Sequence, residues 1–246
     1  MADEPGSRRV YGRRRGRPLR PGLRDLKQSL LPQLSVGLPK DGVFDPAALF
    51  EPPPQAVWLE IGFGGGEHLA AQAEQHSEIG FIGCEVFENG VARMIGEIAG
   101  RRLANVRLFP DDARLLLDAL APRSIGRAFI LFPDPWPKQR HHKRRLIAAA
   151  TLDRLAAALR DGAELRVATD DPDYLRWILE RLTGHAAFCW LARRPADWRE
   201  RTPDWPPTRY EEKARAAGRT PVFLRFERRP RDAKQAGENA LRVLRV

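Results

Sequence analysis

Three prolines enclose one carboxylate and one tryptophan in the stretch Phe132-Pro133-Asp134-Pro135-Trp136-Pro137. A dense basic run, Lys138-Gln139-Arg140-His141-His142-Lys143-Arg144-Arg145, follows at once. Each proline fixes its own φ and biases the residue before it towards extended geometry, so the segment is stiff before any ligand arrives. A rigid carboxylate and a flat aromatic beside clustered positive charge suit a nucleobase attached to a phosphate backbone. The competing reading makes Asp134 a turn carboxylate bonded to the local backbone. Trp136 either stacks on a base or packs beneath the loop.

A second constellation lies upstream, at Leu59-Glu60-Ile61-Gly62-Phe63-Gly64-Gly65-Gly66-Glu67. Glycines let a backbone turn with positive φ and approach a ligand closely. The dinucleotide pattern G-x-G-x-x-G would need glycine where Glu67 stands, which argues against an NAD-dependent oxidoreductase. Acids at Glu60 and Glu67 flank the loop and would repel a pyrophosphate. They suit a cationic ligand such as S-adenosylmethionine, although Glu60 is also placed to brace the loop through backbone N–H groups. Gly83-Cys84-Glu85-Val86 puts an acid about 20 residues further on, where ribose hydroxyls are bound in such folds. Asp111-Asp112-Ala113 offers one carboxylate for an adenine edge and one for a helix N-cap.

The elements that carry these residues alternate. Strand-like runs are expected at residues 56–61, 79–86, 106–109, 124–132, 164–168, 188–191 and 222–227. Helical patterns are expected at 67–75, 88–99, 113–120, 144–160 and 171–182, with a loop and helix at 206–217. This spacing predicts an α/β fold: an open, mostly parallel seven-stranded sheet with helices on both faces. Ligands of such sheets sit outside the carboxyl ends of the strands, where both constellations fall. Leu26, Leu30, Leu31 and Leu34 predict a short amphipathic helix ahead of the sheet. The expected division is a basic flexible arm (1–24), one domain (25–230) and a polar tail (231–246) in which Leu241, Val243 and Leu244 are candidates for docking.

The 246 residues are 43% hydrophobic, enough for one well-buried domain, and the formal net charge of +10 favours a polyanionic partner. No apolar stretch approaches the length of a membrane span. The arginine-rich N-terminus lacks the apolar segment of a secretory signal. Cys84 and Cys189 stand alone, with no spacing that suggests a metal site or a disulfide scaffold. A cytoplasmic protein is expected. Oligomeric state has no signal here, and a monomer is the working expectation.

The set E-I-G-F-G-x-G, G-C-E-V, D-A, F-P-D-P-W-P-K-x-R-H-x-K-R-R-L, A-T-D and T-R-Y-E resembles the bacterial tRNA (guanine-N7)-methyltransferases, over roughly residues 25–230. The resemblance implies a Rossmann-like class I methyltransferase fold, S-adenosylmethionine as methyl donor without a metal, and tRNA as partner. It implies methylation of N7 of guanine-46 in the tRNA variable loop. Glu60, Glu85, Asp112 and Asp134 match the acidic positions that contact the donor, with Gly62 and Gly64 in the loop between them. Lys138, Asp170, Thr208, Arg209, Tyr210 and Glu211 match substrate-contacting positions. Thr208-Arg209-Tyr210-Glu211 stands where the family usually has Thr-Lys-Phe-Glu, and arginine does not replace a lysine point charge neutrally.

Asp134 is the expected catalytic residue, orienting guanine and offsetting the positive charge that develops on it. The basic residues after Pro137 are expected to hold phosphates, with Asp170 on the same rim. A methyltransferase for exocyclic amines would carry Asn/Asp-Pro-Pro-aromatic at this strand end, an order this chain lacks. A basic RNA-binding protein with a vestigial donor site would not need the intact acids and glycines.

Overall fold

The computed structural model describes residue 12 and residues 14–231. The polar tail expected at 231–246, apart from Arg231, and the start of the basic arm lie outside the described residues. Seven strands form one sheet: β1 (Ala56–Ile61), β2 (Ile79–Cys84), β3 (Val106–Phe109), β4 (Ile125–Leu131), β5 (Leu159–Thr169), β6 (Phe188–Trp190) and β7 (Val222–Arg228). Their spatial order is β3-β2-β1-β4-β5-β7-β6, and β7 alone runs antiparallel to its neighbours. The expected mostly parallel seven-stranded sheet is therefore present.

Both faces are covered. Helices α1 (Pro21–Leu34), α2 (Glu67–Gln75) and α3 (Glu88–Arg101) share one core, with Leu69, Met94 and Ile95 packed on Phe81 and Leu108. Leu26, Leu30, Leu31 and Leu34 lie against that core, as their spacing predicts. Helix α1 begins at Pro21, inside the stretch read as arm, because proline is pre-set for the first helical turn. On the other face α4 (Ala113–Ala119), α5 (Ala149–Ala158) and α6 (Pro172–Thr183) bury Leu116, Leu155 and Ile178 against Leu59, Ile82 and Ile130. Neighbouring strand residues thus serve opposite cores, as the two-residue period requires. After α1, Val36 donates its N–H to the Leu108 carbonyl at 2.8 Å, so the chain shields the β3 edge. Among the described residues no helix is long and apolar enough to cross a membrane.

Three elements differ from expectation. The helix expected from residue 144 starts only at Ala149; a 3₁₀ turn spans Gln139–Arg144, and Arg145 then leaves helical geometry with ψ 131°. Strand β5 begins at Leu159 rather than 164, because Leu159 pairs with Ile125 across a register shift. Arg160-Asp161-Gly162 masks that start in the sequence. A short helix α7 (Ala196–Arg199) and the buried Trp205 were not foreseen.

One ion network, centred on buried Arg166, joins β4, β5 and β7. Arg166 is 2% exposed and lies near the rings of Phe129 and Trp205. It donates to Asp204 at 2.6 Å and meets Glu164 at 3.0 Å, and Arg127 and Arg225 complete the cluster. Gln72 of α2 donates to the Asp204 carbonyl at 2.8 Å, which ties this loop to the helix after the glycine loop. Burial opposes ionisation of Asp204. Hydrogen bonds from Arg166 and Thr202, with the charges of Arg166 and Arg127, outweigh it and hold the carboxyl down at about 2.

A folded-state value below the unfolded one, about 3.9, means stabilisation that is present above pH ~4 and lost as pH falls towards ~2. Acid titration followed by circular dichroism should therefore show wild type losing more stability between those values than Asp204→Asn. Equal losses would show that the pair adds nothing.

Candidate functional site

The carboxyl ends of β3, β2, β1, β4 and β5 are brought level by the register, with Phe109 beside Cys84, Cys84 beside Ile61, and Ile61 beside Ile130. Connections leave the sheet in opposite directions on the two sides of the β1–β4 boundary, which opens a crevice there. The glycine loop follows β1 on one side, and the proline-enclosed carboxylate follows β4 on the other.

Positive φ at Gly62 (76°), Gly64 (59°) and Gly66 (85°) explains why the loop uses glycine. Gly64 donates its N–H to Glu85 Oε2 at 2.8 Å, and Phe87 donates to Oε1 at 2.9 Å. A Cβ on Gly90 would lie 2.2 Å from the Gly64 carbonyl oxygen, so α3 also touches the loop backbone to backbone. The loop is thereby fixed from the β2 end.

A cleft of about 600 Å³ opens between these elements, lined by Gly62, Gly64, Glu85, Asp111, Asp112 and Asp134 among others. That volume is in the range of small-molecule sites. Burial pushes the Glu85 carboxyl up; the N–H donors of Phe87, Gly64 and Val86 act against it, and the charge of Asp134 adds to it. Asp134 reaches solvent at the cleft mouth, yet the walls displace enough water to raise its carboxyl as well. Phe132 and Trp136, on either side of it, both lie in left-handed geometry, with φ of 51° and 46°. Such a backbone costs a non-glycine residue about 1–2 kcal/mol. The surroundings hold it. Buried Arg145 donates Nε–H to the Pro135 carbonyl at 2.8 Å and pairs with Asp173, while the Arg144 guanidinium lies 4.9 Å from the centre of the Trp136 ring.

Helix α8 (Arg209–Ala216) brings the remaining side chains. Tyr210 lies over the glycine loop, where a Cβ on Gly64 would meet its ring at 2.7 Å, and it stacks on Phe132 at 6.4 Å. Arg209 Nε stands 3.9 Å from Glu67. Thr208 caps the helix, accepting the Glu211 N–H at 3.2 Å; buried Glu211 pairs with Arg201 and Arg215.

The cleft thus gathers Gly62, Gly64, Glu85, Asp112, Asp134 and Tyr210. Asp112 lines it while capping α4 and pairing with Arg114. Lys138 is exposed beyond the prolines, at the start of the 3₁₀ turn. Asp170 does not line the cleft and is paired with Arg219 at 2.5 Å. Glu60 also stands outside it. Glu60 is 3% exposed and faces His68 Nδ1 at 2.7 Å beneath the loop. Arg145, read as a phosphate holder, is 3% exposed and committed to Pro135 and Asp173, so that reading is corrected. Trp136 lines the cleft, with an edge contact to His141 as well as the Arg144 contact.

Sequence reasoning missed how the arm is held. Asn89 accepts the Gly16 N–H at 2.8 Å and donates to the Arg17 carbonyl at 2.7 Å. Glu88 donates its N–H to the Arg14 carbonyl at 2.9 Å, at the otherwise uncapped start of α3. Arg14 also reaches Asp111 at 3.1 Å, and Gly12 lines the cleft. Asn89, directly after Glu88 at a helix start, was the available signal.

A sequence-family model described as "Putative methyltransferase" matches residues 54–224. A tRNA (guanine-N(7)-)-methyltransferase of Rhodospirillum rubrum is 52% identical over 92% of this chain and 89% of its own length. One of Paramagnetospirillum magneticum is 52% identical over 91% and 94%. Among solved structures, the 16S rRNA methyltransferase KamB aligns over 80% of this chain and 99% of its own, with a TM-score of 0.55 and 19% identity. The [4+2]-cyclase SpnF aligns over 85% and 94%, with a TM-score of 0.51 and 16% identity. The fold is the Rossmann-like class I methyltransferase fold. A cyclase with the same fold shows that the sheet alone does not set the reaction.

The two Asn89 hydrogen bonds are worth about 1 kcal/mol each. Asn89→Ala should therefore raise the open population of residues 14–17 by roughly ten- to thirtyfold. Limited trypsin digestion followed by mass spectrometry should show faster cleavage after Arg14 and Arg15, with the global melting temperature little changed. Unchanged cleavage would mean that Asn89 does not hold the arm.

Proposed function

The chain belongs to the tRNA (guanine-N7)-methyltransferase family, and we propose that it methylates N7 of guanine-46 in the tRNA variable loop in the cytoplasm, with S-adenosylmethionine as donor. The observation that carries this reading is the meeting of Asp134 with Gly62, Gly64, Glu85 and Asp112 in one cleft. Four carboxylates on its walls, counting Asp111, complement a cationic donor that carries no phosphate. Gly62 has open space where a side chain would project, so a ligand can approach the backbone there.

S-adenosylmethionine, when bound, supplies a methyl group on a cationic sulfur. Glu85 retains lone pairs for ribose hydroxyls while it holds the loop. Asp112 meets the adenosine end and caps its helix at once. Asp134 accepts from the guanine N1–H and 2-amino group, which selects guanine over adenine. The guanine N7 lone pair forms the new C–N bond as the S–C bond breaks, and no proton moves, so no general base is required. Positive charge passes onto the purine, where Asp134 offsets it. The remaining work is positioning, worth at best about 7–11 kcal/mol.

Tyr210 and Arg209 close over the base from α8, while Thr208 and Glu211 anchor that helix. Lys138, Arg140 and Lys143 hold phosphates on the exposed rim. Asp170 contributes through Arg219, its partner at that rim.

The direct test incubates the protein with unmodified tRNA and methyl donor, then maps N7-methylguanine by borohydride/aniline cleavage. Asp134→Ala should abolish transfer while tRNA binding stays near wild type; normal turnover would sink the assignment of Asp134. Calorimetry should show donor affinity falling from pH ~7.5 to ~5, because the raised carboxyls of Glu85 and Asp134 take up protons earlier than ordinary acids. A flat profile over that range would contradict the electrostatic part of this account.

A further inference from the structure

Glu60 lies in mid-sheet, opposite Gly83 on one side and Phe129 on the other, and is 3% exposed. A carboxylate in such a place needs a strong partner. His68, itself 2% exposed, provides one, with Nδ1 2.7 Å from Glu60 Oε2. The pair links the end of β1 to the first turn of α2 and so spans the whole glycine loop. The His68 ring meets Phe129 edge-on at 4.8 Å, which sets its orientation. Nε2 has no partner among the described residues, and a cavity of about 10 Å³, room for one water, adjoins Glu60, His68, Gly62 and Tyr210.

We propose that His68 is a positioning residue: by donating Nδ1–H to Glu60 it clamps the glycine loop from below, in the shape that receives the methyl donor. This rests on the donor site proposed above. With Nδ1–H donated to Glu60, Nε2 is left to the small adjoining cavity, where one water can partner it. The negative charge of Glu60 is then retained beneath the loop. It attracts a cationic donor through a medium of low dielectric constant. Glu85 holds the loop from the side, and the Glu60–His68 pair holds it from beneath. Together they offset the disorder natural to four glycines.

The test uses the full chain with substitutions at His68 and S-adenosylmethionine affinity measured by calorimetry. Asn places an N–H donor where Nδ1 stands; Gln places one where Nε2 stands and is closer to histidine in volume. His68→Gln and His68→Ala should weaken donor affinity on the order of tenfold to a hundredfold, the scale of a hydrogen bond to a charged group. His68→Asn should restore most of it. In a Glu60→Met background, which removes the acceptor, Asn and Gln at position 68 should become equivalent. tRNA affinity without donor should stay near wild type in every variant, which separates a loop defect from a folding defect. Equal rescue by Gln and Asn, or unchanged affinity in His68→Ala, would overturn the proposal and leave the donor site standing. No donor binding by wild type would instead overturn the donor site, and this inference with it.

Discussion

The site depends on one carboxylate that serves as structure first. Glu85 accepts the N–H groups of Gly64 and Phe87, and so joins the loop after β1 to the turn that starts α3. A loop with positive φ at three positions has no conformation of its own to fall into. With Gly90 pressed against its backbone from α3, that loop has little room left to move. The fold can therefore offer bare backbone to a ligand only because a buried acid and a close-packed helix restrain it.

The opposite wall is stiffened by other means. Prolines restrict Pro133-Asp134-Pro135, yet the left-handed geometry at Phe132 and Trp136 would relax if nothing opposed it. Arg145 opposes it from inside the protein, through Pro135 and Asp173 and against the rings of Tyr174 and Trp177. The basic run thus has two populations that composition cannot separate. Arg145 is an internal brace, whereas Lys138 and Arg140 stay in solvent.

Where the sequence was informative, a local rule was enough. Apolar runs alternating with helical patterns placed the sheet, the 3.6-residue period placed the leucine-lined α1, and glycine and proline spacing marked both walls of the cleft. What was illegible depended on distant partners. Glu60 reads as an acid beside a glycine loop, and only the fold shows that it faces His68. Asp170 reads as a rim acid, and Arg219, 49 residues away, decides its setting. The break before α5 was hidden because the helical pattern runs through Arg145, whose side chain is claimed by tertiary contacts stronger than its local propensity.

The arrangement also answers how a chain with net charge +10 keeps an acidic pocket. Three arginines close to the cleft have assigned partners: Arg114 with Asp112, Arg14 with Asp111, Arg154 with Asp118. Glu85 instead receives backbone N–H groups, which stabilise its charge without cancelling it. Asp134 is set between prolines whose rings offer no donor. The two acids nearest the reacting centre therefore keep their negative potential, and burial strengthens it at short range. Long-range attraction of a polyanion and short-range attraction of a cation then coexist, because the first sums over the whole surface and the second is decided by which charges lack a counter-charge inside the cleft.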